Sequence, residues 1–192
     1  MYLAVSLSTL HNKGMSSNSY DNRTGGPINR RVPTDDTLER LVCDECGFIN
    51  YTNPKIIVGA VCTWENKFLL CQRSIPPRLG YWTMPAGFME EGETTIEGAI
   101  REAKEEACTD ITIDALLGIY NIARLSQVHL IYRAQLVSPQ YSAGTESQAV
   151  DLFEWNDIPW EDLAFPSVHW ALAHFKEVEG KKDFTPLPEG KI

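Results

Sequence analysis

The sequence predicts an α+β fold in which a mixed β-sheet is sandwiched between helices. Strand-like apolar segments stand on both sides of one strongly periodic helical segment, residues 94–108. A second helical segment, residues 166–178, follows the last of these strands. This order of elements is typical of a mixed sheet with helices packed on its faces.

The strand predictions rest on β-branched and apolar segments bounded by turn residues. They cover residues 56–64, 67–73, 111–122, 127–137 and 151–155. The first two are separated only by Glu65 and Asn66, which predicts a hairpin. Between the second strand and the helix lies a segment rich in Pro and Gly, residues 75–92, which we interpret as a loop.

The predicted helix has an apolar face and an acidic face. Thr94 and Glu97 form a capping box at its start. The residues expected in its buried stripe are Ile96, Ala99, Ile100, Ala103 and Ala107. Glu102, Glu105 and Glu106 stand at i, i+3 and i+4 and therefore share another face. Such an acidic face is often merely solvated, but a hard cation with oxygen ligands would turn its internal repulsion into binding.

Composition limits the classes of partner. A formal charge of −9 argues against a general nucleic-acid or anionic-membrane surface, since either would require clustered Lys and Arg. No stretch approaches the roughly 18 apolar residues of a membrane-spanning helix. Five cysteines, an odd number, fit reduced thiols in a cytosol-like compartment, so we expect a cytoplasmic protein. An acidic protein that handles a phosphorylated small molecule would need metal ions to neutralise it.

Four segments are predicted along the chain. Residues 1–30 are interpreted as a flexible leader, with an organelle-targeting peptide as the alternative because the segment is rich in serine. Residues 31–54 contain a single knuckle, Cys43-Asp-Glu-Cys46-Gly47. Residues 55–180 form the main domain, and residues 181–192 form a C-terminal tail.

The glycine-rich loop and the acidic helix together resemble the Nudix box. The matching positions are Gly87, Glu93, Arg101, Glu102, Ala103, Glu105 and Glu106. Two positions depart from the pattern, because Cys108 and Thr109 stand where the box usually ends in Gly and an aliphatic residue. The glycine closes the helix and binds no metal, so the departure affects the end of the helix and leaves the chemistry intact.

The resemblance extends to a zinc-ribbon-bearing Nudix branch that includes ADP-ribose and FAD pyrophosphatases. It covers about residues 32–190 and includes the segments 53–55, 69–73, 81–87, 144–147 and 159–165. It implies a Nudix fold with a small ribbon appended at its N-terminal side. It also implies cleavage of a nucleoside diphosphate derivative at its pyrophosphate; relatives are often dimers.

The same resemblance assigns roles to the acidic helix. Glu102 and Glu106 would be the principal ligands of Mg²⁺ or Mn²⁺, and a backbone carbonyl next to Gly87 would complete the shell. Glu105 would be a further ligand or would activate water. Arg101 belongs to the same catalytic group, and Glu93 is placed to pair with its guanidinium.

Four further residues are candidates outside the helix. Arg73 and Arg78 could bind phosphate oxygens, since a guanidinium matches them bidentately, although surface arginines after a strand are equally ordinary. Tyr81 could stack on a base or flavin ring. Glu146 lies in a loop that supplies a catalytic carboxylate in some relatives with ADP-ribose activity.

The ribbon is expected to be degenerate. A closed zinc site needs four ligands, and Cys43 and Cys46 supply only two. The region where the family pattern places the first pair, residues 19–26, holds neither Cys nor His. We therefore expect no zinc, unless two chains share a site across a dimer.

The expected function is metal-dependent hydrolysis of ADP-ribose or FAD with release of AMP. The alternatives within enzymes are an NADH pyrophosphatase and a hydrolase of oxidised nucleotides. The alternative from another class is a Nudix module that binds nucleotides without catalysis. Such modules typically lose acidic residues of the box, whereas this chain keeps every ligand-type carboxylate.

Overall fold

The protein is described by a computed structural model that covers residues 26–189. The chain divides after Thr52 into two compact units, which are described separately. Most of the predicted leader lies outside the described residues. The segment boundaries predicted from the sequence, at residues 30, 54 and 180, stay predictions.

The N-terminal unit is a small antiparallel sheet. In its described part, residues 26–52, three strands pair in the order β1 (Asn29–Arg31), β2 (Arg40–Val42) and β3 (Ile49–Asn50). Between β2 and β3 the chain turns tightly, as the Gly47 amide donates to the Cys43 carbonyl at 2.9 Å. Gly47 has a φ of +72°, which favours glycine at this position. The knuckle shape is therefore present in the backbone.

Within residues 53–189, the second unit holds eight strands and two α-helices. The strands are β4 (Lys55–Trp64), β5 (Lys67–Arg73), β6 (Trp82–Thr83), β7 (Ala86–Phe88), β8 (Ile111–Ile122), β9 (Gln127–Leu136), β10 (Ser147–Phe153) and β11 (Leu187–Pro188). The helices are α1 (Thr95–Ala107) and α2 (Pro166–Glu177). Three short 3-10 helices lie at Ala123–Leu125, Trp155–Asp157 and Trp160–Asp162. This composition confirms the predicted α+β class.

The strands form one mixed sheet. Its order is β10-β5-β4-β9-β8-β11, with β6 paired to β5 and β7 paired to β4. β4 and β9 are parallel, whereas β4–β5 and β8–β9 are antiparallel. β7 pairs with the start of β4 and places Gly87 opposite Val58, at the edge where the loop enters α1.

The two faces of the sheet carry separate apolar cores. On one face α1 packs on residues that include Val58, Ala60 and Cys62. On the other face α2 packs on the alternate side chains, among them Val61 and Leu70. The period of two along a strand explains why β4 is apolar at nearly every position. Within residues 26–189, no helix is long and apolar enough to cross a membrane.

The buried stripe of α1 differs from the predicted one. Ala99, Ala103 and Ala107 are fully buried as expected, but Ile96 and Ile100 are 45% and 37% exposed. α1 packs closely on β4, and a Cβ added at Gly98 would lie 2.7 Å from Cγ2 of Val58. The side of the helix that meets the sheet therefore carries Gly and Ala.

The five predicted strands are present, but the segment 75–92, interpreted as a loop, contains the short strands β6 and β7. Two other strands also differ from the prediction. β10 begins at Ser147, four residues before the predicted start. The predicted tail contains β11, which pairs in parallel with β8 at Gly118 and Ile119. β6, β7 and β11 are two or three residues long, which is too short for an alternating pattern to be recognised.

Candidate active site

Two of the three helix carboxylates are buried and the third is exposed. Glu102 and Glu106 are 8% and 6% exposed, whereas the Glu105 side chain is 59% exposed. Glu102 and Glu106 are one helical turn apart, so they project from the same side of α1. Burying two carboxylates together on one helix face is unfavourable unless a partner compensates their charge.

Arg101 joins the loop before α1 to the helix acids. Its Nη2 donates to the Phe88 carbonyl at 3.0 Å and to Glu93 Oε1 at 2.8 Å. Its Nη1 donates to Glu102 at 2.7 Å and to Glu105 at 2.9 Å. The predicted pairing of Glu93 with Arg101 is confirmed, and these hydrogen bonds hold the pKa of Glu93 down at about 2. The loop is thereby fixed against the helix.

Glycine at position 87 is required by the close approach of Glu102. A Cβ at Gly87 would lie 2.5 Å from Cδ of the Glu102 carboxylate. The absence of a side chain lets a buried carboxylate lie directly over the backbone of β7. The candidate backbone ligand next to Gly87 is therefore adjacent to one of the candidate side-chain ligands.

Glu106 is the carboxylate with the most perturbed environment. Burial, and then the charge of Glu102, raise its pKa to about 8. Burial also raises the pKa of Glu102, although the hydrogen bond from Arg101 opposes that shift. Within the described part of the chain, Glu106 Oε2 is buried and has no hydrogen-bond partner. The oxygen is therefore left with an unmet need for a donor or a cation.

The donor set fits a hard divalent cation. Carboxylate oxygens from Glu102 and Glu106, together with a backbone carbonyl, are the ligand types that Mg²⁺ and Mn²⁺ take. As the side chains stand in residues 26–189, no three acidic, His or Cys groups converge on one point. Two of the three helix carboxylates, those of Glu102 and Glu105, are instead paired with Arg101. A cation would compete with Arg101 for those two carboxylates.

The end of α1 is stabilised from the chain that follows β9. Cys108 adopts the left-handed conformation, with φ 49° and ψ 32°, and its amide donates to the Lys104 carbonyl. A non-glycine residue there costs about 1 kcal/mol relative to glycine. The Ser142 and Gly144 amides donate to the Ala107 and Glu106 carbonyls, both at 3.0 Å. Two orphan carbonyls of the helix end are satisfied in this way.

A cavity of about 790 Å³ opens beside these acids. Its acidic end contains Glu102, Glu105 and Glu106, with Gly87 at the edge of the sheet. Its other end is formed by the start of α2 and by the segment that joins β8 to β9. A volume of this size can hold a nucleotide-sized ligand.

The four candidates outside the helix fall in different places. Glu146 lines the cavity, and its charge contributes to the raised pKa of Glu106. Arg73 also lines it, but its Nε donates to the Pro77 carbonyl at 2.8 Å and its guanidinium lies over Phe165. Arg78 and Tyr81 stack on each other and do not line the cavity.

Sequence reasoning missed the far end of the cavity. Its side chains include Ile122, Arg124, Gln127, His129, Phe165 and Trp170. Gln127 and His129 are two residues apart on β9, so they point to the same face of the sheet. Two polar residues at alternate positions at the start of β9 were the available signal.

Comparison with known families identifies the larger unit. Residues 53–178 match the family model described as the NUDIX domain, which is more than half of the chain. The chain belongs to the Nudix family. Residues 23–52 match a second model, a zinc-ribbon type described as Nudix N-terminal. The predicted resemblance is confirmed, and the protein is a Nudix hydrolase.

Individual relatives agree with this assignment. The structure is similar to a Nudix hydrolase of Nitrosomonas europaea, with a TM-score of 0.81 and 41% identity, over 91% of this chain and 100% of that chain. The sequence is 30% identical to an ADP-ribose pyrophosphatase of Methanocaldococcus jannaschii over 119 residues, which is 60% of this chain and 69% of that protein. It is 32% identical to the NAD-capped RNA hydrolase NudC of Vibrio atlanticus over 127 residues, covering 64% of this chain but only 43% of that protein.

The ribbon unit of this Nudix chain lacks half of a zinc site among its described residues. Cys43 and Cys46 are free, and no cluster of metal-binding side chains forms around them within residues 26–189. His11, a single histidine upstream of the knuckle, lies outside the described residues. Instead, Asp44 accepts hydrogen bonds from Asn29 and from Arg31, the latter at 2.9 Å. These bonds join β1 to the knuckle.

Proposed function

We propose that this Nudix hydrolase cleaves the pyrophosphate bond of a nucleoside diphosphate linked to another group, with ADP-ribose or FAD as the substrate and AMP as a product. The proposal rests chiefly on Glu106, which lines a nucleotide-sized cavity and whose buried Oε2 has no partner in the described chain. An ADP-ribose pyrophosphatase among the relatives supports this choice of substrate.

Mg²⁺ or Mn²⁺ would be held by Glu102, Glu106 and the backbone next to Gly87, with Glu105 as a further ligand. Bound there, the metal would polarise the diphosphate and lower the pKa of a water. Partial burial of the carboxylates excludes bulk water and strengthens their attraction for a cation. The zinc expectation is unchanged, since the ribbon offers only Cys43 and Cys46.

The remaining site residues would position the metal ligands, the attacking water and the neighbouring loops. Arg101 fixes Glu102 and Glu105 through Nη1, and it holds the Gly87 loop through Nη2. Glu146, which lines the same cavity, would accept a proton from an attacking water. Arg73 contributes positive charge near Glu106 while its Nε supports the loop at Pro77.

The test is a substrate panel with purified protein. ADP-ribose, FAD, NADH, a dinucleoside polyphosphate and an oxidised nucleoside triphosphate are incubated with Mg²⁺ or Mn²⁺, and the products are separated by chromatography. We expect AMP from ADP-ribose or FAD. Preferential cleavage of NADH or of the oxidised nucleotide would support one of the enzyme alternatives instead.

Two variants test the assignment of the helix acids. Glu106→Gln and Glu105→Gln are expected to abolish Mg²⁺-dependent AMP release while the fold remains intact by circular dichroism. Glu161→Gln, in an exposed 3-10 turn, is the matched control and should retain full turnover. Unchanged turnover in Glu106→Gln would contradict the mechanism. Saturable binding of ADP-ribose with no turnover of any substrate would favour the non-catalytic module.

A further inference from the structure

The far end of the cavity combines apolar walls with one polar edge. Ile122, Leu125, Phe165 and Trp170 supply the walls. Gln127 and His129 supply the edge, with Arg124 among the lining residues, while the Arg73 guanidinium lies over the Phe165 ring. Flat apolar walls with few polar groups suit an uncharged aromatic ring better than a phosphate or a sugar.

This end lies at a suitable distance from the acids. His129 on β9 is paired with Ile57 on β4, which is paired in turn with Phe88 on β7. Two strand spacings separate His129 from β7, or about 10 Å. Gly87, next to Phe88, contacts the Glu102 carboxylate. A nucleotide whose diphosphate lies at the acids can therefore extend its base to β9.

Gln127 and His129 are hydrogen-bonded to each other. His129 Nε2 lies 3.2 Å from Gln127 Oε1. Burial lowers the pKa of His129, which keeps the ring neutral near pH 7. Since the amide oxygen accepts only, Nε2 carries the proton and donates to it. The amide NH₂ of Gln127 is then left to donate, and its oxygen retains one free lone pair.

The free groups of Gln127 match one purine edge. An amide binds adenine bidentately, because it donates to N7 and accepts from the N6 amino group. Hypoxanthine and guanine present two acceptors, N7 and O6, at that edge, so the amide oxygen would face O6 without a hydrogen between them. The bond from His129 opposes rotation of the amide into the reversed orientation, because the NH₂ group would then face a donor.

We propose that Gln127, oriented by His129, selects adenine over 6-oxopurines at the far end of the active-site cavity. The proposal rests on the proposed function for the placement of the diphosphate at the helix acids. Gln127 contacts the base and determines specificity, whereas His129 is a positioning residue. Phe165 and Trp170 are the apolar walls against which the ring packs.

The proposal is tested by equilibrium binding of AMP and IMP to the full chain with Mg²⁺, measured by calorimetry. These probes differ at position 6 and at the N1 proton, and neither contains the bond to be cleaved. We expect AMP to bind at least about tenfold more tightly than IMP, because a mismatched buried polar pair is strongly rejected. Equal binding of the two, or no saturable binding of either, would overturn the proposal.

Variants separate base recognition from catalysis. Gln127→Leu should bring the ratio of AMP affinity to IMP affinity close to 1. Gln127→Lys should bind IMP more tightly than AMP, since an ammonium donates to both O6 and N7. Gln135→Leu, an exposed position on the same strand, is the matched control and should keep the wild-type ratio. Retention of the preference in Gln127→Leu would overturn the assignment.

The role of His129 needs its own readout. His129→Ala should lower the ratio of AMP affinity to IMP affinity by weakening AMP alone, whereas a general packing defect would weaken both ligands equally. If no nucleoside diphosphate derivative is hydrolysed but AMP is still preferred, the proposed function fails and the base selectivity stands. If ADP- and IDP-linked substrates are cleaved equally well, the proposed function stands and the base selectivity fails.

Discussion

Two segments of this chain resemble metal sites, the knuckle at residues 43–47 and the acidic face of α1, and each has a different part of what such a site needs. The knuckle at residues 43–47 keeps the tight backbone turn but has only two thiols, and Asp44 ties it to β1 by hydrogen bonds. The face of α1 keeps its carboxylates, and Glu106 retains a buried oxygen without a partner in the described chain. Backbone shape can therefore persist through substitute hydrogen bonds, whereas a buried carboxyl oxygen without a partner indicates a ligand.

Removal of divalent metal should produce the largest difference between the two segments. Excess EDTA is expected to eliminate turnover, and Mg²⁺ or Mn²⁺ should restore it, because the proposed metal polarises the diphosphate and lowers the pKa of a water. Zinc measured by mass spectrometry on the purified protein should be well below one ion per chain. One zinc ion per chain would contradict the expected difference between the knuckle and α1. It would indicate zinc ligands outside the described residues or in a second copy.

Loss of Arg101 should have the next largest effect. Arg101→Lys keeps the charge but cannot reach Glu93, Glu102 and the Phe88 carbonyl together. We expect kcat/KM to fall by about 10- to 100-fold, as for other residues that orient metal ligands. Lys104→Ala is the control, since Lys104 makes only an exposed pair with Asp110. A twofold effect or less in Arg101→Lys would show that the helix acids do not depend on it.

The burial of Glu106 should be measurable as lost stability in the metal-free protein. Its folded pKa of about 8 lies above the ordinary value of 4.5, so between these values the unfolded chain has released a proton that the folded chain retains, and stability falls as pH rises. Glu106→Gln should therefore raise the free energy of unfolding in EDTA at pH 8 by about 1–2 kcal/mol, less than the full shift implies, because the buried amide remains imperfectly paired. Denaturant titration at pH 5 and pH 8 checks this, and the gain should be absent at pH 5. A destabilised variant at pH 8 would contradict it.

The smallest effect is expected at the knuckle. Cys43→Ser with Cys46→Ser should leave kcat/KM within about twofold, since neither thiol holds a metal in the expected state. Asp44→Ala is the informative companion, because it removes the bonds to Asn29 and Arg31. Protease sensitivity of the N-terminal unit should rise more in Asp44→Ala than in the serine variant. The opposite order would assign the thiols the structural role.

The sequence predicted the acidic helix well because its information is local. The i, i+3, i+4 spacing of the glutamates and the capping box at Thr94 each follow from residues within two turns, and the capping box is confirmed. Exposure was predicted less well, because Ile96 and Ile100 carry the pattern of a core stripe and face outward. Which side of α1 meets the sheet depends on how closely Gly98 can approach Val58, a contact made across 40 residues.

The far end of the cavity could not be predicted from the sequence, because it also depends on contacts between distant residues. Gln127 and His129 come from β9, whereas Phe165 and Trp170 belong to the start of α2. Only the fold of the sheet brings these residues to one cavity. Arg78 and Tyr81 stood closer in sequence to the box and were chosen on chemistry alone, yet they stack on each other away from the cavity.

The bonds from the Ser142 and Gly144 amides to the end of α1 bear on the motions open to the site. The Ser74 amide also donates to the Glu146 carbonyl at 2.9 Å, so the segment carrying Glu146 is fastened to α1 and to the end of β5. These amides should exchange with deuterated water as slowly as those of the helix interior, although they lie in irregular structure. Glu146 is then held at the cavity by a rigid segment, so that closure of this loop is not required for turnover.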